Sequence, residues 1–334
     1  MKAMVLAAGL GTRLRPVTYS VPKPMVPVLN RPVMEHIIGL LRSHGFDQVI
    51  ANLHWFPETI RDHFGDGSDF GIELSYSFED ALLGTAGGVR NASNFFEGGF
   101  LVISGDALTD IDLTAMREFH ESHDGIATLA TSKVSDTSQF GVVITDEAGR
   151  IQGFQEKPDP AEALSDLANC GIYMFNPEIF DFFPGPGESA LASPDDPEGF
   201  ADWAMDVFPA LLESGTPFYS HEVNAYWNDV GTISELLQGC FDGLRREVAL
   251  EIREPEVRPG VWCDETVDLS DVEVQGPVLI GPDCRIEAGT VITGPVVLGR
   301  GCRLGRDVKV REAVLLEGAE LVDGSFAVGG VLGH

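Results

Sequence analysis

The sequence predicts an α/β fold over residues 1–246, with a mixed, mostly parallel sheet, followed by a left-handed parallel β-helix over residues 260–334. Three observations lead there. Short apolar runs alternate with segments of helical periodicity through the first 240 or so residues, and strands separated by helices imply βαβ units. Beyond residue 260 the apolar residues recur every sixth position, a period that belongs to neither a helix nor a flat strand. The length, 334 residues, suits two domains at roughly 100 to 200 residues each, and 44% hydrophobic content with 20 Phe supports a sizeable core.

Taken in order, residues 2–8 read as a buried strand feeding a glycine-rich loop. Met34, Ile37, Ile38 and Leu41 share one helical face, ended by Gly45. A second strand is expected over 48–53, a short helix over 57–64, a third strand over 72–77 and a fourth over 100–104, stopping at Gly105-Asp106. Ligands of such sheets bind beyond the carboxyl ends of the strands, where both 9–13 and 105–106 fall. Residues 142–145 and 150–155 flank Asp146-Glu147-Ala148-Gly149 as a hairpin, and 183–199 reads as a surface loop. His120 and His123 are assigned to one helix without a ligand pattern, and Trp55 and Phe56 to packing at a strand end. Thr232-Ile233-Ser234-Glu235 has capping-box spacing and should open a helix to about Arg245.

The boundary between the two parts is expected near 247–260, where Glu and Pro cluster. Val274, Ile280, Ile286, Ile292, Leu298, Leu304, Val310, Leu316, Val322 and Val328 then follow at intervals of six, and all ten are expected to point inward. A second file, Val278, Cys284, Thr290, Val296, Cys302, Val308 and Val314, keeps the period with smaller side chains. Cys284 and Cys302 should stack on one wall as packed thiols. The five cysteines include no CxxC pair, so free thiols are expected rather than disulfides.

The formal charge of −30 argues against nucleic-acid and anionic membrane partners. An anionic substrate would need a local cluster of cations or a metal ion. No apolar run approaches the roughly 18 residues of a membrane span. The apolar stretch after Met1-Lys2 is followed by Gly11-Thr12-Arg13-Leu14-Arg15-Pro16 where a cleavage site would stand, so a cytoplasmic location is expected.

The most informative segment runs Leu6-Ala7-Ala8-Gly9-Leu10-Gly11-Thr12-Arg13-Leu14-Arg15-Pro16 and on to Pro22-Lys23-Pro24. A strand feeding a glycine turn exposes backbone N–H groups to phosphate. Leu14 stands where a dinucleotide fingerprint needs its third glycine, and no Walker A pattern is present. What remains is a glycine loop with Arg13, Arg15 and Lys23 close behind it, either a polyphosphate site or a turn with solvated cations. Asp106 ends a buried strand, where a carboxylate is costly unless paired, metal-bound or capping a turn.

These blocks resemble the sugar-1-phosphate nucleotidylyltransferases, most closely those of the mannose-1-phosphate guanylyltransferase type. Gly9-x-Gly11-Thr12-Arg13-Leu14-Arg15-Pro16 with Pro22-Lys23-Pro24 is similar to the family signature, and Leu83-Gly84-Thr85-Ala86-Gly87 to its base-binding loop. Ser104-Gly105-Asp106, Phe140-Gly141-Val142, Glu156-Lys157-Pro158, Asn169-Cys170-Gly171 and Tyr226-Trp227-x-Asp229-Val230-Gly231-Thr232 follow in order. The resemblance covers residues 1–240 and implies a Rossmann-like nucleotidyltransferase domain making NDP-sugar and pyrophosphate from an NTP and a hexose 1-phosphate. It implies a nucleotide site at Leu6, Ala8, Gly9, Gly11, Thr12, Arg13, Gly84, Thr85, Gly105 and Asp106. Catalytic roles would fall to Arg13, Lys23, Asp106 and Asp229, with Mg²⁺ held by Asp106 and Asp229. Gly141, Glu156, Lys157 and Asn169 would take the sugar phosphate, and Arg15 and Arg31 are weaker candidates. GTP with mannose 1-phosphate is the expected pair, ahead of UTP or dTTP with glucose 1-phosphate. A non-catalytic regulatory subunit of this shape would be expected to lose Arg13, Lys23, Asp106 or Asp229, and all four are present. The β-helix suggests a homo-oligomer. An acyltransferase of β-helix type would need a His in its coils, and residues 250–333 contain none.

Overall fold

The computed structural model describes residues 1–185, 187–191 and 199–333, in two units that each draw on several stretches of chain. Met1–Leu10, Ile37–Ala107 and Ile111–Trp227 form the first; Gly11–His36, Leu108–Asp110 and Asn228–His334 form the second.

The first unit is organised by β1, Lys2–Leu6, whose Ala3, Met4 and Val5 are fully buried. It lies between the strands Gln48–Leu53 and Phe100–Ser104 and runs parallel to both. Beyond Gln48–Leu53 comes the parallel Glu73–Phe78; beyond Phe100–Ser104 comes the antiparallel Leu167–Phe175, followed by the hairpin Gly141–Thr145 and Ile151–Glu156. Ala127–Lys133 joins Leu167–Phe175 to Tyr219–Glu222. The sheet is therefore mixed, with a parallel heart. Apolar runs such as Phe100–Ser104 suit a strand covered on both faces. Below one face Phe100, Phe175, Trp203, Phe208 and Phe218 are buried together, with Phe175 and Trp203 stacked at 4.6 Å.

The helices follow from local signals. In α1, Val33–Ser43, the residues Met34, Ile37, Ile38 and Leu41 are buried as their spacing requires. Pro at the first position opens α2, Pro57–Phe64. The third helix, α3, covers Gly84–Asn91, and α4, Leu113–Glu121, is capped by Asp112, whose carboxylate accepts from the Thr114 and Ala115 N–H groups. It stops before His123, so only His120 of that pair is helical. α5 covers Phe208–Ser214. In α6, Ile233–Arg245, the Thr232 hydroxyl accepts the Glu235 N–H at 3.3 Å. The return bond of a capping box is absent; Glu235 accepts instead from the Gly231 N–H at 3.1 Å. The loop expected over 183–199 lies partly outside the described residues.

In the second unit the chain coils. Val278–Ile280 pairs in parallel with residues 296–298, and Arg285–Ile286 with Arg303–Leu304, each eighteen positions on. Val291–Leu298 bends at Gly294-Pro295 and so serves two sides of the coil, with Arg285–Ile286, Arg303–Leu304 and Glu320–Leu321 on a third. This is a parallel β-helix of three sides with six residues to a side. Val278, Ile280, Cys284, Ile292, Val296, Leu298, Cys302, Leu304, Val308 and Val310 share its core. Leu279, Val297 and Val314 are also buried, and α6 packs against the strands that carry Val297 and Val314.

The expected file of ten inward residues fails at its end. Val322 and Val328 are 77% and 48% exposed. The cause is a coil one residue short: Val310 pairs with Ala327 and Val296 with Ala313, seventeen positions apart. Leu315 rather than Leu316 therefore takes the inward place opposite Leu298, and Ala313, Ala319, Leu321 and Ala327 join it in the interior.

Leu304→Ala should therefore cost about 2–5 kcal/mol, and Val322→Ala no more than about 0.5 kcal/mol. Denaturant titration of the two variants tests this, and equal losses would put Val322 back inside the coil.

Candidate functional site

The parallel register places three strand ends together in the first unit. Leu6 lies between Asn52 and Ser104. The Gly105 N–H donates to the Leu6 carbonyl at 2.8 Å, and the Ala7 N–H to the side-chain oxygen of Asn52 at 2.8 Å. That side-chain bond ends β1 at Leu6, two residues before the expected boundary. Asp106 stands just past Ser104, whose hydroxyl donates to its carboxylate. Leu6, Ala8, Gly9, Gly105 and Asp106 thus share one edge of the sheet, as a strand-end site requires.

The segment 84–87 opens α3. Gly84 has φ +78°, and a β-carbon there would run into the Ala201 carbonyl. That carbonyl accepts the Ala86 and Gly87 N–H groups, both at 3.0 Å. The Thr85 hydroxyl donates to Asp202 at 2.8 Å and accepts the Trp203 N–H at 3.1 Å. Asp202 and Ala201 are partners that sequence reasoning missed, because they lie more than a hundred positions away.

Gly141, Glu156, Lys157 and Asn169 stand on the neighbouring hairpin and strand. Glu156 pairs in register with Gly141, and Ala168 with Val142. Glu156 and Lys157 form an ion pair of 2.8 Å with both side chains more than half exposed. Asn169 is tied down by the Gly171 N–H and the Tyr173 hydroxyl, each at 3.0 Å.

The second unit gathers three sequence-distant candidates. Arg13 lies 3.5 Å from the Asp229 carboxylate, and the Lys23 ammonium donates to the Asp229 carbonyl at 3.1 Å. Gly11, at φ +61°, folds the loop back so that Thr18 donates to its carbonyl at 2.7 Å. Thr12 and Arg15 are exposed, Arg15 over the Tyr19 ring. Arg31 has a different place: it is buried with Glu35 at 2.9 Å and also reaches Glu251, while Arg253 pairs with the same Glu35 oxygen. This is a structural ion-pair network beneath the loop.

Among the described residues no three His, Cys, Asp or Glu side chains cluster as a metal site. Magnesium commonly uses one or two carboxylates together with substrate phosphates. Asp106 and Asp229 match that donor chemistry, each at a glycine-bearing loop. Burial pushes the Cys240 thiol up to about 12 and the Cys263 thiol to about 11, so neither is a nucleophile at neutral pH. All five cysteines are free.

A mixed sheet with a parallel heart and glycine turns at its strand ends defines the first unit as an α/β fold. The family model for nucleotidyl transferases matches residues 2–243, and the chain belongs to that family. A UTP–glucose-1-phosphate uridylyltransferase from Synechocystis is 41% identical over 97% of this chain and 86% of its own. A mannose-1-phosphate guanylyltransferase from Mycobacterium tuberculosis is 32% identical over 96% and 80%. Among solved structures, a Bacillus anthracis protein in complex with sucrose superposes with a TM-score of 0.64 at 24% identity, covering 75% of this chain and 97% of that one, which supports the fold. No helix is long and apolar enough to cross a membrane among the described residues.

Beneath the loop, burial holds the His36 pKa down at about 4, with its ring N–H donated to the Val28 carbonyl at 3.0 Å. His123 is lowered to about 4 by burial and by His120 beside it. An unfolded histidine titrates near 6.5, so the unfolded chain takes up protons that the folded one refuses. The stability held by neutral His36 is complete above pH 6.5 and is lost as pH falls to about 4, by no more than about 3 kcal/mol. Denaturant titrations at pH 7.5 and 5 should show this loss, and His36→Gln should reduce it. An unchanged pH slope in the variant would contradict the assignment.

Proposed function

We propose that this chain transfers a nucleotidyl group from an NTP to a hexose 1-phosphate, releasing pyrophosphate. The observation that carries the reading is the convergence of Arg13, Lys23 and Asp229 in a chain of charge −30. Cations are scarce, yet two are held beside a glycine loop where phosphate oxygens can exchange for the aspartate. A phosphate oxygen of the sugar phosphate attacks the α-phosphorus in line; the bond to the β-phosphate oxygen breaks, and pyrophosphate leaves with that electron pair. The attacking phosphate is already ionised, so no general base is needed. Arg13 and Lys23 stabilise charge growing on the leaving group, and Glu156, Lys157 and Asn169 orient the sugar phosphate. Bound Mg²⁺, on Asp106 and Asp229, would supply Lewis-acid charge at the phosphates.

For the substrate pair, the relative at 41% identity favours UTP with glucose 1-phosphate. The motifs at 83–87 and 104–113 favour the expected GTP with mannose 1-phosphate, as do relatives near 31% identity bearing that name. The two sugars differ at one hydroxyl, which a buried contact can discriminate strongly.

Two measurements test this reading. A matrix of NTPs against both sugar phosphates, scored by kcat/KM with pyrophosphate release, should give one dominant pair with UTP. A dominant GTP reaction would move the assignment to the second pair, and no turnover with any pair would end the reading. Asp106→Asn and Asp229→Asn should each leave a folded protein and lower kcat by at least about a hundredfold. Near-normal turnover in both would remove the metal role.

A further inference from the structure

The sheet carries a buried polar chain that the reaction does not use. Asn52 is 3% exposed and Glu79 6%. The Asn52 side-chain oxygen accepts the Ala7 N–H at 2.8 Å, which fixes the orientation of the amide: its NH₂ faces Glu79 and donates at 2.7 Å. The second carboxylate oxygen of Glu79 accepts the Leu83 N–H at 3.0 Å. The His54 ring N–H donates to the Glu79 carbonyl at 2.9 Å. A β-carbon on Gly88 of α3 would fall 2.7 Å from both Asn52 and Glu79, so that glycine lets the pair lie against the helix.

A buried carboxylate is costly, and among the described residues no cation pairs with Glu79. Hydrogen bonds alone hold it. They link the end of β1, which begins the glycine loop, to Leu83, which begins the segment 83–87. An apolar pair would fill the same space but could not set the distance between these backbones. We infer that Asn52 and Glu79 are positioning residues that hold the 83–85 segment in register with the end of β1, and so set the affinity for the nucleotide. The nucleotide assignment of both segments rests on the function proposed above.

The chain of donors and acceptors permits a swap. In Asn52→Asp alone two carboxylates face each other in a buried site; in Glu79→Gln alone the amide NH₂ meets a donor, either the Asn52 amide or the Leu83 N–H. In the double variant the carboxylate introduced at position 52 would accept from Ala7 and from the amide introduced at position 79. The oxygen of that amide accepts from Leu83, so every bond returns with the same net charge.

Steady-state kinetics with UTP and glucose 1-phosphate, or with GTP and mannose 1-phosphate if the matrix selects it, should give about a tenfold higher KM for the nucleotide in Glu79→Gln. Its kcat and its KM for the sugar phosphate should stay within about threefold, and the double variant should recover the nucleotide KM. Amide hydrogen exchange on the full, nucleotide-free chain supplies a readout independent of turnover. Exchange at Ala7 and Leu83 should speed up in each folded single variant and slow again in the double. Loss of kcat and both KM values together, an unchanged nucleotide KM, or no recovery in the double variant would overturn the inference. If the wild-type chain has no activity with any substrate pair, the functional reading fails, and the exchange result alone decides whether the link exists.

Discussion

Everything at the candidate site of the first unit depends on one constraint: β1 is hydrogen-bonded on both sides by parallel strands in matching register. With Leu6 between Asn52 and Ser104, the chain must leave three adjacent strands at one edge. Backbone groups freed there need partners, because a buried unpaired N–H costs about 1–3 kcal/mol. Asn52 takes the Ala7 N–H and Leu6 takes the Gly105 N–H. The glycine loop and the Gly105-Asp106 turn are consequently anchored at their first residues.

Charge is handled sparingly in this acidic chain. Arg31 and Arg253 are committed to Glu35, which is 2% exposed, and removing either partner would leave an expensive buried charge. Arg13 is more than half exposed and stands 3.5 Å from Asp229, a loose contact between partly solvated groups. Position along the chain does not separate the two kinds of arginine. Burial does.

The coil illustrates how a repeat tolerates a defect. Each side contributes inward residues at fixed steps, so a one-residue deletion shifts every later side chain relative to the interior. Here the shift occurs across Glu312, which has φ +49°, and the last coil fills its interior with Ala319 and Ala327 while Val322 and Val328 face out. The packed thiols of Cys284 and Cys302 lie before that point and sit in contact, as their spacing implied; Cys284 is raised by its bond with the Cys302 thiol and by burial.

The sequence by itself determined the local units and the chemistry available to them. The Gln48–Leu53 and Phe100–Ser104 strands, the Pro57–Phe64 helix, the cap at Thr232 and the six-residue period are all written in nearest-neighbour propensities and periodicity. Gly9, Gly11, Arg13, Lys23, Gly105 and Asp106 are visible because a glycine turn and its cations adjoin in the chain. Asn52 and Glu79 carried no such signal, because 27 positions separate the two partners. Tertiary structure alone decided that Arg13 and Lys23 meet Asp229, that Thr85 spends its hydroxyl on Asp202, that Arg31 is structural, and where the coil loses a residue. Those outcomes depend on contacts between residues as many as 220 positions apart and on which groups are withdrawn from water, and neither distance nor burial of that kind is encoded in any local run of residues.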